Sequence, residues 1–109
     1  MKSPQPPPSK IGNPVKFSPP VGVGKAAKYN GIIKDEVWGR VCYDKEWGFY
    51  IYTSQLIEWS AGGTSVRMTY YYQREGSGQW RFGQYSIEDS PEIIREILEA
   101  TLKKNWRSK

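Results

Sequence analysis

The chain has 109 residues, of which 38% are hydrophobic, 15% aromatic and 25% charged, and its formal net charge is +5. This length and balance predict one globular domain with one core. A single cysteine excludes an intrachain disulfide framework, and the absence of histidine removes the commonest general base and metal ligand.

The same counts bear on cellular location. One cysteine, Cys42, favours an intracellular protein, in the cytoplasm or with the nucleic acid of a nucleoid or nucleus. No window approaches the roughly 18 apolar residues of a membrane span, and the N-terminus lacks the apolar stretch of a signal peptide. We therefore expect a protein that is neither secreted nor transmembrane.

Residues 1–30 differ in composition from the rest of the chain. They hold seven of the eight prolines, five lysines and no acidic residue, so the remainder of the chain is neutral overall. Few large apolar side chains are present to offset the entropy of ordering, and this composition predicts a disordered basic tail. Such a tail fits an anionic partner such as nucleic acid, and it fits a purely solubilising role equally well.

Residues 31–109 carry the pattern of a folded domain that starts with strands. Runs rich in β-branched and aromatic residues predict four strands, over residues 32–44, 49–59, 65–75 and 80–87. Gly39 is a weak point in the first strand, and Gly62 and Gly63 form a turn between the second and third. Because the loops are short, we expect successive strands to pair in an antiparallel meander.

The C-terminal segment predicts a single amphipathic helix. Ser90 is a typical N-cap, and Pro91 suits the first helical position. Apolar residues recur at a spacing of three to four, and this stripe comprises Ile93, Ile94, Ile97, Leu98, Thr101 and Leu102. We expect the stripe to pack across one face of the sheet, which gives an α+β fold: a twisted antiparallel sheet closed by one helix.

The period of two along a strand divides its side chains between the two faces of a sheet. Applied to the four predicted strands, it gathers arginines and flat aromatic rings on one face, which we expect to be open to solvent. Bases stack on such rings at about 1–3 kcal/mol per base while cations contact the phosphates, so this face predicts single-stranded nucleic-acid binding. With two lysines of the tail, the predicted site comprises Trp38, Arg40, Tyr50, Tyr52, Arg67, Tyr71, Arg81, Tyr85, Lys25 and Lys28.

Two other interpretations of this face stay open. Cross-strand aromatic pairs and cation–π pairs stabilise a sheet without any ligand. The face could also bury against a second copy or another protein, with tyrosine and tryptophan as interface anchors. A β-bulge near Gly39 or Gly83 would move side chains from one face to the other.

Two short motifs in the tail differ in what they indicate. The stretch from Pro4 to Pro8 contains PxxP and favours polyproline II geometry, which makes it a weak candidate ligand for a proline-reading domain. The run GVGK at residues 22–25 is not a phosphate-binding P-loop, because Pro19 and Ala26 stand where that motif needs glycine and a hydroxyl residue.

Catalysis has little support in the sequence. Neighbouring carboxylates occur at residues 35–36, 44–46 and 88–89, and a metal-dependent hydrolase could use carboxylates alone. Each group lies where turns and helix starts normally carry solvated acids. We therefore expect no enzyme activity, no cofactor and no metal, and a carboxylate-only metal hydrolase is the remaining alternative.

The order of elements and one stretch of sequence resemble known single-strand-binding families. A strand meander is followed by the basic and aromatic strands over residues 65–75 and 80–87, and the stretch SIEDSPEII then leads into the helix. This pattern is similar to that of the positive-cofactor-four/Whirly class of transcription coactivators, and of small single-strand DNA-binding proteins of hyperthermophilic archaea and their viruses. The resemblance is one of pattern, without a specific motif. It implies a curved sheet that binds DNA and a helix that mediates dimerisation.

These observations predict a non-catalytic protein that binds single-stranded nucleic acid, DNA more readily than RNA, as a homodimer. The alternative is a protein-interaction adaptor or dimerisation module that binds no nucleic acid. Division of the rings and arginines between both sides of the sheet, or their burial beneath the helix, would contradict the stacking face.

Overall fold

Six strands and one C-terminal helix form the described part of the chain. The structure is a computed structural model, and it describes residues 3–17, 29–83 and 86–107. The elements are β1 (Pro14–Phe17), β2 (Tyr29–Trp38), β3 (Cys42–Asp44), β4 (Gly48–Trp59), β5 (Thr64–Gln73), β6 (Arg81–Phe82) and α1 (Pro91–Lys103). Neighbouring strands are antiparallel in the order β1-β2-β4-β5-β6, and β3 also pairs with β4.

The predicted α+β class, with an antiparallel sheet and one C-terminal helix, is confirmed, whereas the described strands number six instead of four. The second and third predicted strands correspond to β4 and β5, and the fourth is reduced to the two residues of β6. β1 lies within the segment predicted to be a disordered tail. Residues 18–28 of that segment lie outside the described residues, so disorder of the tail is not confirmed.

The first predicted strand is divided at Gly39, the weak point in its sequence. Trp38 is opposite Thr53 and Cys42 is opposite Tyr50, so three residues of this strand face two residues of β4. One extra residue on one strand of an antiparallel pair is a β-bulge, and bulges bend the strand that carries them. The bulge therefore separates β2 from β3.

The register between β4 and β5 determines which side chains share a face. Tyr50 is opposite Tyr72 and Ile51 is opposite Tyr71, and opposite residues on paired strands point to the same side. The helix face, on which α1 lies, carries Val37, Cys42, Tyr50, Tyr52, Ser54, Leu56, Val66, Met68, Tyr70, Tyr72 and Arg81. The opposite face carries Val15, Ile33, Glu36, Trp38, Phe49, Ile51, Gln55, Ile57, Arg67, Tyr71 and Phe82.

The opposite face holds a buried apolar cluster. It consists of Val15, Ile33 and Ile57, with Trp59 packed against it. Polar side chains of β4 are buried as well, and within the described residues every buried side-chain nitrogen or oxygen atom has a hydrogen-bond partner. Because a buried polar group without a partner costs free energy, this satisfied set is compatible with a stable core.

The segment before β1 crosses the opposite face. Trp80 Nε1 donates a hydrogen bond to Gln5 O at 2.9 Å, and Lys10 N donates to Glu36 Oε2 at 3.0 Å. Pro7, between these two anchors, is buried. Both faces of the sheet are therefore partly covered: one by this N-terminal segment and the other by α1.

The helix begins as predicted. Ser90 Oγ accepts a hydrogen bond from Ile93 N at 3.4 Å and Pro91 occupies the first turn. α1 packs against β2 and β4, and Ser54 Oγ lies 2.6 Å from Thr101 Oγ1. In the part of the chain that the structure describes, no helix has the length and apolar character needed to cross a membrane.

The buried side of α1 is narrower than the predicted apolar stripe. Ile97 is 1% exposed, whereas Leu102 is 77% exposed and Leu98 is also exposed. Since α1 lies mainly over β2 and β4, the end of β5 near Val66 is exposed, whereas the backbone of Gly83, after β6, lies against the Tyr70 ring. The larger of the two cavities opens on this face of the sheet, between β4, β5 and the start of α1.

Candidate binding sites on the two sheet faces

The structure divides the predicted nucleic-acid-binding residues between the two faces. Tyr50 and Tyr52 lie on the helix face, whereas Trp38, Arg67 and Tyr71 lie on the opposite face. The prediction of one open face that gathers all of these residues is therefore wrong. The alternation within β4 and within β5 is as predicted, but their register sets the predicted core side of β4 beside the predicted open side of β5.

Two of these rings are too buried to stack on a ligand. Tyr52 is 6% exposed and Tyr71 is 8% exposed. The Tyr71 ring is 5.5 Å from the Trp38 ring between centroids, and Lys10 Nζ lies 5.1 Å from its centroid. Such aromatic and cation–π pairs stabilise a sheet without any ligand, as one of the alternative interpretations proposed.

The remaining predicted residues are placed separately. Arg40, which follows β2, pairs with Glu96 of α1 through Nε at 3.0 and 3.1 Å from the two carboxylate oxygens. This hydrogen bond raises the pKa of Arg40. Arg81 is exposed on β6, opposite Tyr72. The other three lie outside the described residues: Tyr85, Lys25 and Lys28.

A groove of about 750 Å³ opens on the helix face near the start of α1. This volume is within the range of roughly 300–1,000 Å³ found for protein ligand sites. Ring centroids in the sequence Tyr50, Tyr52, Tyr70, Tyr72 are 5.7, 6.1 and 6.5 Å apart. We call it the tyrosine groove, and its lining residues are Asp44, Trp47, Tyr50, Tyr52, Tyr70, Tyr72, Arg74, Ser86, Glu88 and Asp89.

Asp89, immediately before the N-cap of α1, holds two tyrosines of the groove in place. Its Oδ2 accepts hydrogen bonds from the hydroxyl groups of Tyr50 and Tyr52 at 2.9 and 3.1 Å, and its Oδ1 accepts from Ser90 N at 2.7 Å. Burial, together with the hydrogen bonds to Asp89, raises the pKa of both tyrosines well above the ordinary value. Both rings are therefore neutral and oriented before a ligand arrives.

The charge of the tyrosine groove is negative. Its lining contains three carboxylates, of Asp44, Glu88 and Asp89, and one cation, Arg74. Asp44 Oδ1 accepts two backbone N–H groups of the β3–β4 turn, at 2.8 and 3.2 Å, and this turn carries Trp47, which is 61% exposed. Carboxylates and ring faces attract a cation, whereas this balance disfavours a phosphate.

Sequence reasoning missed most of this groove, because only Tyr50 and Tyr52 among its lining residues belong to the predicted site. The strand pattern assigns Tyr70 to the core side and Trp47 to a turn, and it treats the carboxylates as solvated acids. The missing information was the register, since the turn at residues 62–63 sets Tyr52 opposite Tyr70. A hairpin register worked out from that glycine turn would have placed these tyrosines on one face.

A second cavity, of about 260 Å³, opens on the opposite face, where the sheet curls and brings β1 near β6. Arg67 Nε and Nη2 donate hydrogen bonds to Gln55 Oε1 at 3.0 and 2.6 Å. Burial lowers the pKa of Arg67. We call this cavity the edge gap, and its lining residues are Asn13, Pro14, Val15, Lys16, Ile33, Arg67, Tyr71 and Phe82. It brings together two of the predicted site residues, Arg67 and Tyr71.

One of the carboxylates considered for metal chemistry, Asp35, makes structural contacts with the end of the chain. Asp35 accepts a hydrogen bond from Trp106 Nε1 at 2.9 Å and pairs with Lys104 Nζ at 3.3 Å. The bond from Trp106 is the main cause of a lowered pKa at Asp35. Over the ranges that the structure describes, no three histidine, cysteine or carboxylate side chains are grouped closely enough to hold a metal ion.

Comparison with known proteins adds no relative: no protein-family model matches the chain, and no curated protein or solved structure matches it significantly. The resemblance to single-strand-binding families therefore stays a prediction. The functional proposals below depend on the chemistry of the two cavities.

Proposed function

We propose that this protein is an interaction module whose tyrosine groove binds an extended cationic peptide. The observation that carries the proposal is one open groove in which the rings of Tyr50, Tyr70 and Tyr72 adjoin the buried ring of Tyr52. The same groove contains three carboxylates and a single arginine. This function corresponds to the adaptor alternative of the sequence analysis and adds the chemistry of the partner.

The rings supply the apolar contact. Grooves lined by aromatic side chains bind extended peptides, and proline-containing segments suit them because polyproline II geometry is formed before binding. Exposed Trp47 stands at the edge of the groove, and Tyr72 on β5 lies outside the main contacts of α1, whereas the backbone of Gly83 lies against the Tyr70 ring. A peptide could therefore lie along β5 without displacement of the helix.

The carboxylates supply the selectivity for charge. A lysine or arginine over a tyrosine face gains about 0.5–1 kcal/mol at an exposed site and about 2 kcal/mol where it is desolvated. Asp44 and Glu88 would add attraction at the rim, and Asp89 already fixes the hydroxyl groups of two tyrosines. The same carboxylates oppose a phosphate backbone, so we do not propose that single-stranded nucleic acid binds in this groove.

Binding of short synthetic peptides tests this function. A peptide of three Lys-Pro-Pro repeats should bind saturably by isothermal titration calorimetry. Peptides with Glu or Gln in place of Lys should bind at least about tenfold more weakly, which is about 1.4 kcal/mol. The variant Glu88→Lys should weaken binding of the lysine peptide, whereas Glu99→Lys, an exposed change on α1, should not.

Two results of that experiment would contradict the proposal. One is the absence of saturable binding of the lysine peptide at millimolar concentration. The other is equal affinity for the lysine and glutamate peptides, which would show that the groove carboxylates do not select the ligand.

Other partner assignments stay predictions. Homodimerisation, an intracellular location and the absence of catalysis are expectations from the sequence, and sedimentation of the purified chain tests the first. For the PxxP stretch, a proline-reading domain would have to displace the contact of Gln5 O with Trp80 Nε1.

A further inference from the structure

The edge gap contains a cation without a balancing carboxylate. Arg67 is half-buried, and its Nε and Nη2 groups are bonded to the neutral amide of Gln55, which is fully buried. No carboxylate pairs with Arg67 among residues 3–17, 29–83 and 86–107. Gln55 holds the guanidinium group in one orientation, and over the described ranges its Nη1 group makes no hydrogen bond.

This arrangement favours an anion at the gap. A partly desolvated charge without a counter-ion costs free energy, and an anion that accepts from the guanidinium group would lower that cost. Arginine suits a phosphate in particular, because its planar donors match the oxygens of the group. Lys16 is also among the residues that line the gap, so a second cationic residue lies near it.

The surroundings of Arg67 also include flat rings. Its guanidinium carbon lies 5.0 Å from the centroid of the Phe82 ring, and that residue is 42% exposed. Tyr71 meets Phe82 edge to face at 5.6 Å between centroids. A planar base beside the phosphate would therefore find the exposed part of Phe82, and aromatic stacking of bases is tolerant of their identity.

One more charge of each sign lies near the gap, Lys10 from the N-terminal segment and Glu36 from β2. Lys10 Nζ lies over the Tyr71 ring, and the Glu36 carboxylate accepts from the backbone N of Lys10. Glu36 lies in the same cross-strand row as Gln55 and Arg67, but its carboxylate is bonded to Lys10 N, whereas the hydrogen bonds of Arg67 go to Gln55. The balance of Arg67, Lys16 and Lys10 against Glu36 is positive.

We infer that the edge gap binds the phosphate of a nucleotide unit, with Arg67 on the phosphate and Phe82 beside the base. The unit comes either from a free nucleotide or from single-stranded nucleic acid, since both present a phosphate next to an unpaired base. The gap is on the opposite sheet face from the tyrosine groove, so this site is separate from the proposed peptide site.

Titrations at low salt with three probes test the inference: inorganic phosphate, thymidine monophosphate and a ten-nucleotide thymidine oligonucleotide. Wild-type protein should bind at least one of the two nucleotide probes saturably and more tightly than inorganic phosphate. Arg67→Met should lower that affinity at least tenfold. The matched control Arg95→Met removes an exposed arginine of α1 and should change it less than twofold. Much tighter binding of the oligonucleotide than of the mononucleotide identifies nucleic acid as the source, and equal affinities identify the free nucleotide.

Stability measurements keep the test decisive if a variant folds poorly. Because Arg67→Met leaves the buried Oε1 atom of Gln55 without its two donors, the variant should unfold at a lower temperature than the wild type. Thymidine monophosphate should raise the unfolding temperature of the wild type and leave that of the folded variant unchanged. Lys16→Met, at an exposed position of the lining, should weaken binding several-fold without loss of folding. The inference is overturned if no probe binds saturably, if inorganic phosphate binds as tightly as both nucleotides, or if Arg67→Met and Lys16→Met retain full affinity.

Discussion

Replacement of Asp89 by asparagine tests how the tyrosine groove is organised. The carboxylate accepts hydrogen bonds from the hydroxyl groups of Tyr50 and Tyr52 and from Ser90 N. An amide of the same size keeps the shape of the residue but removes the charge. It also turns one of the two acceptor oxygens into a donor, so at least one of these bonds is lost.

The expected magnitude follows from these contacts. A hydrogen bond to a charged group contributes about 1.5–3 kcal/mol, and solvent screening favours the low end because Asp89 is only half-buried. Loss of one bond and weakening of another should therefore lower the free energy of unfolding by about 1–3 kcal/mol. With a urea dependence of about 1–3 kcal/mol per molar, the unfolding midpoint should fall by on the order of 1 M.

Urea unfolding followed by tryptophan fluorescence measures this loss, and absorbance titration of tyrosine provides an independent readout. In the wild type, Tyr50 and Tyr52 should resist ionisation above the ordinary tyrosine pKa, because burial and Asp89 both raise it. Asp89→Asn should lower the pKa of both only part of the way, since burial remains. Glu88→Gln is the control, because the exposed Glu88 side chain makes no hydrogen bond within the described residues. An Asp89→Asn protein within about 0.5 kcal/mol of the wild type, with an unchanged tyrosine titration, would refute this reasoning.

Two further predictions concern the glycines Gly48 and Gly62 and the contacts of Asp35 with residues after α1. Gly48→Ala should lower the free energy of unfolding, measured with urea, by roughly 3 kcal/mol or more, and Gly62→Ala should lower it by only about 1 kcal/mol. Both glycines have positive φ, but an added Cβ at Gly48 would lie 2.6 Å from Gln73 O, whereas Gly62 faces open space. Equal losses of unfolding free energy in the two variants would contradict this contact. Lowering the pH below the ordinary Asp35 pKa of 3.8 should remove stability, because the bond from Trp106 lowers this pKa in the folded state. That contribution is present above pH 4 and is lost as the pH falls through the folded-state pKa. Asp35→Asn should therefore flatten the dependence of the unfolding free energy on pH between about 5 and 2. An unchanged slope in the variant would disprove the role of Asp35.

Local sequence patterns were sufficient to predict those elements whose structure depends on residues close together in the chain. The cap at Ser90 and the proline after it marked the start of α1, and the apolar period identified Ile97 as a buried residue. The dense β-branched and aromatic runs located β4 and β5, and Gly39 marked the bulge that separates β2 from β3.

The candidate sites depend on contacts between distant parts of the chain, and these could not be read from local patterns. Alternation separates Tyr50 from Ile51, but only the register shows that Ile51 shares a face with Tyr71. The polar, proline-rich composition before residue 30 concealed β1, whose Val15 is buried through its packing with Ile33 rather than through local propensity. Both cavities are therefore products of register and sheet curl.

Indole resonances in a nitrogen–proton correlation spectrum provide the most direct test of the cation-binding groove. On addition of the Lys-Pro-Pro peptide, the resonance of Trp47, exposed at the groove edge, should shift saturably. The resonance of Trp106, bonded to Asp35 at the far end of α1, should stay in place. A Trp47 resonance that does not move, or shifts confined to Trp38 on the opposite face, would contradict the proposed groove.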